Sequence, residues 1–325
     1  MSGLARFWLS NEFGLILLIA LFVALFWLMA PGFVSTFSQF VLWRTVAINA
    51  MIGFSMMAVI VTGGLNLAVG AIGVAAAMVF GWLAQDFAAP WPLAVLGALA
   101  TGAALGWVNG YAVVRSGLHS FIITLATMSI FFGIMVFLTH AESFRALPPQ
   151  FAAFGRLRLG GVVSPLLLVT LAVAALLAVL YRLTALGREM LAAGANERAA
   201  LLSGVRTGRV LVACHILSGM LAAVAALMVV ARNGAAIPSM AGQLGQDWLL
   251  PAFLGPVLGG TLLAGGAVSV LGTFLGAALV TILTAGLLLL QVGEFWVPAC
   301  LGLLLLLAVL IDKGRRVYLA RQKMA

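Results

Sequence analysis

The groups able to do chemistry are few in this chain of 325 residues, of which 64% are hydrophobic and only 8% charged. Lys313 and Lys323 are the only lysines, and neither stands in a GxxxxGK[ST] phosphate loop, which excludes nucleotide hydrolysis by that route. His119, His140 and His215 are isolated from one another and from any HExxH spacing, and no GxSxG turn occurs. Cys214 and Cys300 lie inside apolar segments without metal-ligand spacing and read as small hydrophobes. Glu12, Asp86, Glu142, Glu189, Glu197, Asp247, Glu294 and Asp312 all fall in loops or at the ends of apolar runs. A proton-coupled carrier needs a carboxylate or histidine deep in the membrane, and none is evident. Sodium coupling through backbone carbonyls at a broken helix stays open.

Polar groups inside the apolar runs are the remaining candidates. The segment Thr62–Ala71, TGGLNLAVGA, interrupts two apolar stretches with three glycines and Asn66. It reads as a broken element or as a tight cytoplasmic turn. Asn49 in VAINAM and Asn109 in LGWVNGY are amides within spans, facing either a neighbouring helix or a wet pathway. The run Ala185–Val210, ALGREMLAAGANERAALLSGVRTGRV, alternates charged positions with apolar alanine and leucine faces. It predicts a short amphipathic helix, docked in a partner's groove or lying solvated against the membrane.

The elements that must carry these residues are membrane helices, because a hydrocarbon core of ~30 Å takes about 20 mainly apolar residues per helix. The apolar runs predict spans at 13–30, 40–62, 71–85, 92–114, 120–139, 163–182, 209–231, 249–264, 269–291 and 296–311. The first is too long for a signal-peptide core and no small-x-small site precedes Pro31, so it reads as a retained helix. The net charge of +9 would suggest nucleic acid in a soluble protein; here it reflects basic cytoplasmic loops. With both ends in the cytoplasm, twelve of the 17 basic residues lie inside, and Arg44, Arg145, Arg156, Arg158 and Arg232 lie outside. Trp91, Trp248 and Trp296 fall at outer span ends, the level preferred by amphipathic rings. Residues 61–74 and 257–270 share glycine placement, which an internal repeat would explain and which chance also produces in so biased a composition.

In chain order, the segments GGLNLAVG (63–70), GWVNGYAVVRSGLHSFIITLATMSIFFGI (106–134), GREMLAAGANERAALLSGV (187–205), LSG (217–219), LGGTLLAGGAVSVLGTFLGA (258–277) and AVLIDKGRR (308–316) resemble the ribose/xylose/galactose-type permeases of ATP-binding-cassette importers. The resemblance implies an all-α polytopic fold of about ten spans, type II importer-like, forming one permease domain over 1–325. Its cytoplasmic coupling segment would be 183–208, and its external loops 140–162 and 232–248. It implies pairing with a second permease subunit, two ATPase subunits beneath and a periplasmic or extracellular solute-binding protein above. ATP and magnesium would be used by the ATPase, this chain binding no cofactor and no nucleic acid. The chain would sit among the lipids of the bacterial cytoplasmic membrane with both termini inside. The resemblance puts ATPase coupling at Gly187, Arg188, Glu189, Gly194, Asn196, Glu197, Arg198 and Gly204, where closure of the ATPase would be transmitted as a rigid-body shift. Asn49, Asn66, Asn109, Thr124 and Thr127 are candidates for the translocation pathway. Arg145, Arg156 and Arg158 are candidates for docking the acidic lobes of the binding protein, or for anchoring their loop to lipid phosphates. The family's GGIDLSVG has Asp and Ser where this chain has Asn66 and Ala68. Its Pro-Pro is replaced by His119 and Ser120, and GQDWLLPAFLGP (245–256) departs from the usual acidic, alanine-rich segment. These differences leave the solute as a sugar or sugar-like polyol. A secondary transporter of a small polar solute is the competing function, disfavoured by the missing intramembrane carboxylate.

Overall fold

The computed structural model describes residues 11–30, 32–293, 296–303 and 306. The chain runs through α1 (Asn11–Met29), α2 (Thr36–Ile60), α3 (Val69–Gln85), α4 (Trp91–Ser116), α5 (Ser120–Thr139), α6 (Pro149–Arg156), α7 (Pro165–Leu183), α8 (Ala185–Ala195), α9 (Glu197–Leu202) and α10 (Thr207–Asn233). A 3₁₀ turn (Gln243–Trp248), α11 (Leu249–Leu258) and α12 (Val270–Leu289) follow, and residues 296–303 are helical. Among the described residues there is no strand, only isolated bridges such as Phe144 with Ala236. Side-chain caps start the helices where polar residues precede apolar runs: Ser35, Ser164, Thr184, Asn196 and Ser269 each accept a hydrogen bond from a first-turn amide.

Among the described residues seven helices, α1, α2, α4, α5, α7, α10 and α12, are long and apolar enough to cross a membrane. Helix α3, with 17 residues, is about 26 Å long and buried by its neighbours, so lipid does not set its length. The predicted spans agree with the helices to within a few residues, except the one at 249–264. Helix α11 ends at Leu258 after 10 residues, only about 15 Å, and the chain then turns through 259–269 outside any helix. Gly259-Gly260 and Gly265-Gly266 supply that turn, so the predicted span is a 10-residue helix followed by a turn rather than one long helix. Much of the last predicted span, with Arg6, Glu294 and every basic residue after 312, lies outside the described residues.

Burial orders the bundle. In the apolar window of α2, 72% of residues are buried, and 61% in α10, against 11% in α1, so α2 and α10 are central and α1 peripheral. Helix α10 packs on α4, α2 and α3, while α2 also packs on α11 and α12. The α4–α10 seam is the closest. Ala94, Ala98, Gly102, Gly106 and Gly110 recur every four residues on α4 and are all buried. Gly102 faces Gly219, and Gly106 faces the His215 carbonyl, so close that a Cβ at either position would strike backbone. Trp248, placed by its sequence position at an outer span end, inserts against Gly73 of α3 and is buried, whereas Trp91 and Trp296 are exposed.

Candidate functional site

The interruption after α2 is a true break. Residues 64–66 have no regular structure, and Gly63 turns the chain with φ of 77°, a conformation that costs a side chain dearly. The exposed backbone is satisfied by side chains of α5 and by Asn66 itself, and Asn66 ties the break to α10. Leu65 N–H donates to Ser120 Oγ (2.8 Å) and Leu67 N–H to Thr124 Oγ1 (3.0 Å), both on α5. Asn66 Oδ1 accepts from Ala68 N–H (3.1 Å), and its Nδ2 donates to Ser218 Oγ on α10 (2.9 Å). Ser55 on α2 donates to the Ser218 carbonyl (2.8 Å). Ser55, Asn66, Thr124 and Ser218 are all fully buried. Thr127 extends the network only through a bond to the Thr124 carbonyl (3.3 Å). Of the candidate pathway residues, Asn66, Thr124 and Thr127 are therefore brought together, as the clamp of a broken helix. Ser55, Ser120 and Ser218 complete the clamp, and single serines inside apolar runs carry no sequence signal that would mark them.

The other two amides lie elsewhere. Asn49 Nδ2 donates to Thr281 Oγ1 across the α2–α12 contact (2.9 Å). Asn109 is fully buried on α4, and neither its Nδ2 nor its Oδ1 has a partner, a condition shared by His215 Nε2. The two buried amides should therefore respond differently to leucine. Asn66→Leu removes the bonds to Ala68 N–H at the start of α3 and to Ser218 on α10 and is expected to cost about 1–3 kcal/mol, whereas Asn109→Leu leaves no partner orphaned and should be nearly neutral. Thermal unfolding of the two purified variants checks this, and equal losses would contradict the assignment. A cavity of about 480 Å³ between α3, α4 and α5 contains none of these amides; its lining includes Met78, Trp82 and Phe131 together with Asp86, His140 and Glu142.

The coupling candidates divide into builders and presenters. Gly187 packs against the Leu180 carbonyl, letting α8 fold back on α7, and Gly187 N–H donates to the Thr184 cap (3.1 Å). Asn196 closes α8 and starts α9 by accepting from Ala199 N–H (3.0 Å). Gly204, at φ of 86°, ends the turn after α9. Gly194 has the most demanding place: it touches the Val61 carbonyl where α2 breaks, and Gly266 N, while Gly266 N–H donates to that same carbonyl (2.9 Å). The end of α8, the α2 break and the 259–269 turn thus meet backbone to backbone. Arg188, Glu197 and Arg198 are exposed and Glu189 half-buried. Beside them stand Leu201 and Leu202, the latter 88% exposed, against buried Ala193 and Ala200. Composition alone does not separate these two leucines from the many that face lipid.

At the opposite end, Gln85 Oε1 accepts from Arg145 N–H and Ala146 N–H (both 3.0 Å), pinning the loop after α5. Arg145, Arg156 and Arg158 are exposed. They do not form one patch: Arg156 lies against Gly234, whereas Arg158 turns back over the rings of Phe37 and Phe40, 5.3 and 4.8 Å from their centroids.

A polytopic helical bundle with glycine-broken helices at its core and an amphipathic segment seated on the breaks has the character of a transport subunit. The comparisons define it further. The model of the family described as branched-chain amino acid transport system / permease component matches residues 36–311. The chain is 35% identical over 288 residues to the ribose import permease protein of Bacillus subtilis (88% of this chain, 87% of that protein). It is 32% identical over 317 residues to the ribose import permease protein of Escherichia coli K12 (95% of each). To the fructose import permease protein of Rhizobium meliloti it is 33% identical over 314 residues (93% and 85%). No solved structure matches. The chain belongs to this permease family and is a membrane-spanning permease component of a binding-protein-dependent importer.

Proposed function

We propose that this chain, paired with a second permease subunit, carries a sugar or sugar-like polyol across the cytoplasmic membrane, driven by ATP and magnesium used on separate ATPase subunits. Its relatives' sugars support the solute class. Ten membrane segments make up the subunit: the seven long helices, buried α3, the α11 half-helix and the helix beginning near 296. Both termini are cytoplasmic, as the distribution of basic residues favours. Arg145 and Arg156 dock the binding protein at the outer face; Arg158 is folded back over the rings of Phe37 and Phe40 and takes no part in that contact. The asparagines and threonines of the clamp hold the broken helix whose movement opens the pathway.

One observation carries this reading: the 183–208 segment presents Leu201, Leu202, Glu197 and Arg198 outward while its other side is seated on the two helix breaks. A groove of about 540 Å³ lies alongside, lined by Leu201, Arg206 and Arg209. Movement of the ATPase against the leucines would reach the α2 break through Gly194 without an intervening flexible link. Burial of two leucines in a partner groove is worth about 1.5–3 kcal/mol each. Changing Leu201 and Leu202 together to Asp should therefore lower ATPase association at least about a hundredfold while leaving the permease as stable as wild type. Co-purification with the ATPase and thermal unfolding measure the two effects, and undiminished association would sink the assignment.

A further inference from the structure

Three arginines at the outer end of the bundle have no counter-charge among the described residues. Arg44 lies on α2, eight residues after Thr36 and so about 12 Å along the helix axis. Its guanidinium is 5.1 Å from the centroid of the Phe40 ring, the ring that Arg158 also covers at 4.8 Å. Arg232, in the last turn of α10, is within electrostatic range of Arg44. Among the described residues none of the three pairs with a carboxylate; Arg232 Nε donates to the neutral Asn233 Oδ1 (3.2 Å), and Arg44 Nε is buried with no acceptor. Like charges gathered at the edge of a hydrocarbon layer repel one another and lose hydration, an arrangement that calls for an anion. The chain around them is apolar and exposed: Val34 before α2, Phe37 in its first turn, and Leu157 and Leu159 around Arg158.

We propose that Arg44, Arg158 and Arg232 hold the phosphate of an anionic phospholipid in the outer leaflet, its acyl chains lying against Phe37 and the neighbouring leucines. Guanidinium forks match phosphate oxygens in pairs, and the apolar rim suits a ligand with both an anion and hydrocarbon. A carboxylate on a soluble partner would have to pass that rim to reach Arg44 inside α2. The choice of leaflet rests on the orientation given above; the site itself does not depend on the solute or the ATPase.

The test uses the purified full chain in mixed micelles with phosphatidylglycerol or phosphatidylcholine, bound lipid being counted by native mass spectrometry. Wild type should retain phosphatidylglycerol selectively. Arg44→Gln with Arg158→Gln should weaken that retention about thirtyfold, each basic group near a membrane surface contributing about fivefold. Arg145→Gln, away from the cluster, should leave it unchanged. Equal retention of the two lipids by wild type overturns the proposal, as does undiminished retention by the double variant. Displacement of the lipid by millimolar inorganic phosphate would assign the cluster to a free anion instead. Loss of binding-protein association with lipid retention intact would assign it to that protein. Should the double variant not fold, the wild-type selectivity and the single variant Arg232→Gln decide the matter, and ATPase coupling is untouched by either result.

Discussion

Gly219→Leu is expected to remove most of the folded protein. Gly219 on α10 and Gly102 on α4 face each other so closely that a Cβ on either would strike the other's carbonyl oxygen. A leucine there must push apart two helices whose contact is the most extensive in the bundle. Helix α10 cannot yield freely, because its other faces pack on α2 and α3. Overpacking a close-packed core costs about 1–3 kcal/mol where neighbours can adjust, and backbone cannot adjust as a side chain does, so about 3 kcal/mol or more is expected. Gly133→Leu provides the comparison: a Cβ on this α5 glycine meets nothing within 4 Å. Size-exclusion recovery and thermal unfolding should separate the two variants, by about 5 °C or more in Tm at about 2.1 cal/mol/K of unfolding entropy per residue. Equal stability would contradict the seam.

Gly194→Val should leave the subunit in the membrane and sharply lower transport. The added side chain would occupy the position of the Val61 carbonyl and displace the hydrogen bond that Gly266 N–H donates to it. Helix α8 then lifts off the break while α9, capped by Asn196, keeps its own shape. With the exposed leucines intact, the ATPase still binds, but its movement no longer reaches α2. Solute uptake is expected to fall at least about tenfold, the effect of losing ~1.4 kcal/mol of coupling, with ATPase association kept. Uptake in proteoliposomes and co-purification measure the two, and loss of both together would mean that Gly194 serves assembly instead.

Most of the helices were legible in the chain, because length and apolarity alone set a membrane span. The 249–264 segment was not, since hydropathy counts apolar residues whether they continue a helix or turn at Gly259-Gly260. The helical, mixed-charge character of 183–208 could be read from its charges and small residues, and the structure places Gly187, Gly194, Asn196 and Gly204 in building that segment while Arg188, Glu197 and Arg198 are exposed. The buried amides could be found but not sorted: Asn66 and Asn109 look alike in sequence, yet one has two partners and the other none. That difference depends on Ser218, 152 residues away from Asn66, a separation that no local pattern encodes. The small-residue ladder of α4, by contrast, is periodic and visible without coordinates.

The central claim is that solute movement through this chain is driven by a separate ATPase acting on the 183–208 segment. The most direct measurement is uptake of labelled ribose and fructose into proteoliposomes containing the chain, its partner ATPase and its binding protein, with ATP inside and with ion gradients imposed or collapsed. Accumulation that requires ATP, the ATPase and Leu201 and Leu202, and that ignores the ion gradients, is the predicted result. Accumulation by the chain alone, driven by a sodium or proton gradient, would contradict it.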